Sequence, residues 1–197
     1  MANKGRQYID YNNLKRRAPL HYEARADNAR FTAYLLHRGC AEEGDAAKSI
    51  GYSGTAFIAR DEGFRREAAI AIELILKAVI AARIEVGLAG NDVQSVRETH
   101  DVLALWQEAG LPGLGNRDER ILLRVRTVLT WAGRYAAPKY DDLYEEDLEL
   151  DERLSGPKTG LFSPALGLSW EDVDRLYKIA LAGFARAMRW YEDHTAS

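Results

Sequence analysis

Three places in the chain bring ionisable side chains to spacings that chemistry can use. Glu73 and Lys77 are four residues apart, which on a helix sets one above the other. On an ideal helix Arg66, Ile70, Glu73, Lys77, Ile80 and Ile84 fall within about 40° of one line, so the pair stands inside an isoleucine stripe. Two roles fit that placement. An i,i+4 ion pair at the edge of a core contributes about 0.2–0.5 kcal/mol when exposed. A half-buried pair instead orients its neighbours, because charges taken out of water need partners. His100-Asp101 stands where a short helix begins: Asp101 suits the positive helix end, and His100 is free to pair with a carboxylate or a carbonyl. Arg134-Tyr135 follows Gly133 at a helix exit, from which a guanidinium reaches a phosphate or caps the helix C-terminus.

Several chemistries are excluded. The chain has no Walker A loop, no H-E-x-x-H pair and no G-x-S-x-G elbow. A carboxylate-rich di-metal bundle is disfavoured because no Glu-x-x-His pair occurs. Cys40 is the only cysteine, which rules out an intrachain disulfide and a cysteine-rich zinc site. Neither a metal nor a cofactor is expected.

The elements that must position these residues read as helices, with no sustained strand alternation. The first spans about 20–38, with Tyr22, Ala26, Ala29, Ala33 and Leu36 on one side and Gly39 as a stop. Residues 40–62, with Gly44, Gly51 and Gly54, read as an irregular connection holding a short helix over 55–60. The second helix, about 64–86, is apolar around most of its circumference and therefore central. Ser95 with Glu98, or Thr99, starts a short helix that carries Val102, Leu105, Trp106 and Ala109. Asn116 with Glu119 starts the next, closed by Gly133. Ser169 and Asp172 open the last helix, whose Val173, Leu176, Tyr177, Ala180, Phe184, Ala187, Met188 and Tyr191 keep to one face. The prediction is an all-α fold: one domain over 1–197, an up-and-down bundle of four long helices plus a short fifth, with irregular insertions at about 40–62 and 140–168.

The 197 residues are 47% hydrophobic and 29% charged with a formal net charge of −3, which suits one soluble domain and excludes a generalised nucleic-acid coat. Charge is unevenly spread: residues 141–152 hold eight acidic and no basic side chains, whereas residues 1–30 hold seven basic against three acidic. The N-terminal stretch lacks the apolar core of a signal peptide, and the most apolar window, 68–82, is interrupted by Glu73 and Lys77. A cytoplasmic protein without membrane association is expected.

Glu73-Leu-Ile-Leu-Lys77-Ala78, Thr99-His100-Asp101-Val102, Trp131-Ala-Gly-Arg134-Tyr135-Ala-Ala-Pro138 and the amphipathic last helix occur in an order and spacing that resembles HEPN-domain proteins. That family carries an E-L-x-L-K-A-like central helix, a T-H-D-L-like helix start, an R-Y-P-like exit and a long last helix. The resemblance covers about residues 20–39 and 64–192. It departs at Ala136-Ala137, which delay the proline, and at the two insertions. It implies a helical bundle, frequently dimeric, in a superfamily of nucleotide-binding modules, partners of nucleotidyltransferases, and ribonucleases of toxin and phage-defence systems.

The catalytic branch of that family uses an Arg followed after four to six residues by a His on its last helix. Arg189 and His194 fit, as do Arg16–His21 and Arg30–His37, but only the first pair lies on the last helix. On a straight helix a five-residue offset turns two side chains about 140° apart, so convergence needs a bend, a helix end or a second subunit. If they act, His194 is the general acid/base for attack by a 2′-hydroxyl and Arg189 stabilises the charged phosphorane-like state, without a metal.

The expected function is a HEPN-like, nucleotide- or RNA-associated accessory and dimerisation module without its own activity. Glu73, Lys77, His100, Asp101, Arg134 and Tyr135 form its ligand-binding cluster. Its expected partners are a second copy, a nucleotide, RNA, and a nucleotidyltransferase or antitoxin protein. The alternatives are a metal-independent endoribonuclease using Arg189 and His194, and a purely structural interaction domain.

Overall fold

The computed structural model describes residues 18–89, 95–132 and 167–195, with a few positions between 145 and 153. Its elements are α1 (Pro19–Arg38), α2 (Glu43–Ser49), α3 (Ala56–Glu85), α4 (Val102–Glu108), α5 (Asn116–Thr127) continued by a π-helical turn (Val128–Ala132), and α6 (Trp170–Thr195). The described residues are all-helical, without a strand. None of their helices is long and apolar enough to cross a membrane.

α3 is the organising element. Thirty residues long, it packs against α1 and α6 and also meets α2, α4, α5 and the π turn. Ile72, Ile75, Leu76, Val79 and Ile80 are fully buried along it, as expected of a helix touched from several sides. Burying one such side chain contributes about 1.5–3 kcal/mol. α1 brings mainly alanine to the core, with Ala26, Ala29 and Ala33 buried, and small side chains let two backbones approach closely. Gly183 on α6 makes room for a side chain instead: a Cβ there would stand 2.6 Å from Leu111 Cδ2, in space that Leu111 now fills.

Helix ends follow local chemistry. Gly39 takes φ +69°, a conformation that favours glycine, and its N–H donates to Leu35 O at 3.0 Å. Asp172 N–H donates to Ser169 Oγ at 3.2 Å, the cap that the spacing of these residues predicts for α6.

Three expectations are corrected. Residues 40–62 are not an irregular connection around a short helix at 55–60. They contain α2, and from Ala56 onward they belong to α3, which passes through Gly63 because the missing side chain leaves room for Leu36. The short helix does not start from a box at Ser95 and Glu98. Asp101 is its cap, accepting from Ala104 N–H at 3.2 Å, and Thr99 Oγ1 in turn accepts from Asp101 N–H at 3.1 Å. Asn116 is the first residue of α5 rather than its cap, a place taken by Gly115. Gly133 and Pro138, the predicted end of that helix, lie outside the described residues, as does most of the 140–168 insertion with its acidic stretch.

Candidate functional site

The Glu73 side chain leaves the middle of α3 at the edge of the core, where the residue is 7% exposed. A carboxylate so far removed from water is tolerated only when its oxygens are engaged. Both are: Lys77 Nζ donates to Oε1 at 2.5 Å, and His100 Nδ1 lies 3.1 Å from Oε2. Lys77, one turn along α3, is nearly as buried, its side chain 12% exposed. His100 comes from the segment before α4, and its side chain is 48% exposed.

These roles fix the imidazole chemistry. An ionised carboxylate only accepts, so Nδ1 carries the hydrogen in this contact. Nε2 is then a lone pair on the neutral ring and an N–H on the charged one. The cluster therefore presents an oriented imidazole from an anchored base of Glu73 and Lys77.

Asp101 adds a second pair. Besides capping α4, its Oδ1 lies 3.8 Å from Arg126 NH1 on α5. Arg126 was not among the expected site residues. It is one of several arginines on α5, with Arg117, Arg120 and Arg124, and only the docking of α5 beside the α4 cap separates it from them. With His100 neutral, Lys77 and Arg126 balance Glu73 and Asp101.

The fold thus unites four of the six expected ligand-binding residues: Glu73, Lys77, His100 and Asp101. Arg134 and Tyr135 lie outside the described residues. The chain approaches them through the π turn, which packs against α3. π turns recur at functional sites, and here Thr130 Oγ1 donates to the carbonyls of Arg126 and Thr127 at 2.9 and 3.2 Å.

Arg189 and His194 stand on another element, α6, and the side chain of His194 lies outside the described residues. α6 runs continuously through both positions, which lie about 140° apart around its axis, and Arg189 is exposed. Among the described residues no group of three or more His, Cys, Asp or Glu is placed to hold a metal ion.

A second polar network fastens α5 to α6. Arg117 NH2 donates to Asp172 Oδ2 at 2.9 Å, and Arg175 bridges Asp118 at 2.6 Å and Asp172 at 3.3 Å. Burial pushes the Asp172 carboxyl up, but hydrogen bonds from Arg117, Ser169 and Arg175 outweigh burial and hold it below its ordinary value. Asp174 is likewise raised by burial and, on balance, lowered by Lys178 and by Arg30 of α1. Every charge in this network has a partner, which gives it the character of a clamp.

Comparison of the chain with family models, with curated proteins and with solved structures finds no match in any of the three.

Proposed function

We propose that this chain is a HEPN-like module, an up-and-down bundle without its own catalytic activity, that binds a nucleotide or RNA at the Glu73–Lys77–His100–Asp101 cluster. It works as a homodimer beside a partner such as a nucleotidyltransferase or an antitoxin protein. The observation that carries the reading is the uneven burial of the cluster. Glu73 and Lys77 are sunk in the core edge, while the imidazole they hold stands half in solvent. A purely structural lock gains nothing from a third, exposed member, whereas a binding site needs one fixed group facing outward. His100 Nε2 offers a hydrogen bond to a base or ribose edge. Arg134 and Tyr135, next along the chain after the π turn, are assigned the phosphate and the stacking contact.

The test is binding of a labelled mixed-sequence RNA and, separately, of a nucleoside triphosphate to the full chain and to His100→Ala. Loss of the exposed hydrogen bond is expected to weaken binding about tenfold, beside a loss of stability of about 1–3 kcal/mol because Glu73 Oε2 gives up its partner. Equal affinity in both proteins, together with a less stable variant, would establish the structural role instead. RNA length is followed in the same samples in EDTA. Cleavage that disappears in His194→Ala would replace the non-enzymatic reading with the ribonuclease.

A further inference from the structure

α1 is apolar on two opposite sides. Ala26, Ala29 and Ala33 face the core, and about 150–180° around the axis stand Leu20, Ala24, Phe31 and Leu35. Phe31 is 61% and Leu35 51% exposed. A helix needs one apolar stripe to dock on its own core; a second one marks a surface made to be covered.

The charges on the outer stripe identify what covers it. Asp27 stands near its middle and Arg38 at its C-terminal end, eleven residues apart on the same side. Asp27 makes only a 3.5 Å approach to Arg30, and Arg38 has no ion pair among the described residues. If a second α1 runs antiparallel with the two-fold axis between residues 32 and 33, Asp27 of each copy faces Arg38 of the partner subunit. The same register sets Phe31 opposite Tyr34 of the partner subunit.

At that point the surface is hollow. A cavity of about 390 Å³ is lined by Asp27, Asn28, Arg30, Phe31, Tyr34 and Trp170. Its floor is built from packed groups: Tyr34 and Trp170 lie with ring centroids 5.0 Å apart, and Arg30 is tied to Asp174. Aromatic and arginine side chains beside a pocket are the usual anchors of an interface.

We infer that the outer face of α1 is an isologous dimer interface, in which Phe31 of each copy enters the Tyr34–Trp170 cavity of the other and two Asp27–Arg38 pairs fix the register. One stripe that carries both charges and both the knob and its hole is self-complementary, which is the requirement of a two-fold contact. The inference rests on the dimerisation half of the function proposed above and not on its ligand site.

The test is the molar mass of the full chain in solution over a wide concentration range. It is measured for the wild type, Phe31→Ser, Asp27→Arg, Arg38→Asp and the double reversal Asp27→Arg/Arg38→Asp. These side chains are exposed, and unchanged helical circular dichroism confirms that each variant is folded. The wild type is expected to dimerise. Phe31→Ser and each single reversal should weaken the dimer about tenfold or more, and the double reversal should recover most of it. A monomeric wild type would overturn both this interface and the dimerisation half of the proposed function. A dimer indifferent to all four variants would overturn this interface alone, and so would single reversals that the double fails to rescue.

Discussion

Glu73 and Lys77 are each buried because the other is, which makes their substitutions strongly non-additive. Glu73→Ala leaves the Lys77 ammonium without its carboxylate at the core edge and is expected to cost about 3–5 kcal/mol in denaturant unfolding. Glu73→Leu/Lys77→Met keeps the volume and removes both charges, and should restore most of that stability. The double variant also removes the carboxylate that orients His100, so it is expected to be stable yet poor at binding RNA or nucleotide. Recovery of stability without loss of binding would show that the imidazole needs no anchor. Tyr177 presents the opposite case. Its ring lies under the Arg30 guanidinium, 4.7 Å from ring centroid to Cζ, but its hydroxyl is buried with no hydrogen-bond partner. Burial pushes the phenol pKa well above the ordinary tyrosine value. An unpaired buried hydroxyl is a liability, so Tyr177→Phe is expected to leave stability unchanged or raise it by up to about 1 kcal/mol. A clear loss in the same measurement would mean that the hydroxyl has a partner in solution.

At the level of helices, α6 is tied to α5 through Asp172 and to α1 through Asp174, and both joins are sensitive to acid. Asp172 and Asp174 titrate below the ordinary value of 3.8 in the folded chain. The unfolded chain therefore takes up their protons first as pH falls. Their stabilisation is complete above 3.8 and is lost as pH drops through the depressed folded values. Asp172→Asn should flatten the acid limb of a stability–pH curve and lower the plateau at neutral pH; an unchanged limb would show that other carboxylates govern acid unfolding. Ser169→Ala, which removes the α6 cap, is expected to cost about 1 kcal/mol by thermal or denaturant melting. Elements such as α6 were legible in the sequence because cap and apolar period agree along their length. The Glu73/Lys77 pair was legible for a related reason, since an i,i+4 spacing places two side chains together as soon as the helix exists. Its third member was not: Glu73 and His100 are 27 positions apart, and only the docking of α4 on α3 joins them. Arg126 was hidden among similar arginines. The start of α3 was missed because 55–60 reads as a separate short helix within a glycine-rich connection, although the helix runs on through Gly63, where Leu36 needs space.

Across the whole molecule, stability should grade outward from α3. Its middle section touches α1 on one side and α6 and the α4–α5 pair on others, so its amides exchange only when most of the fold opens. α2 buries no residue at all, and Ala56–Gly63 of α3 extends beyond the core with Phe57 and Ile58 exposed. Hydrogen exchange on the full chain is expected to be slowest at 69–82, intermediate in α1 and α6, and fastest among the helices at 43–49 and 56–62. The arms of α2 and early α3 are also held by the ion pair of Arg60 with Glu43 at 2.7 Å, where hydrogen bonds from Arg60 and Cys40 N–H keep the Glu43 carboxyl below its ordinary value. That contact is part-exposed and joins two weakly packed segments, so it should delay local opening only slightly. If α2 and the first turns of α3 instead exchange as slowly as 69–82, something covers Ile50, Phe57 and Ile58 in solution, and association would extend past α1 to this end. Repeating the exchange with Phe31→Ser separates the two sources of protection. Protection that falls with the dimer belongs to a joint interface, and protection that survives belongs to the packing of the single chain.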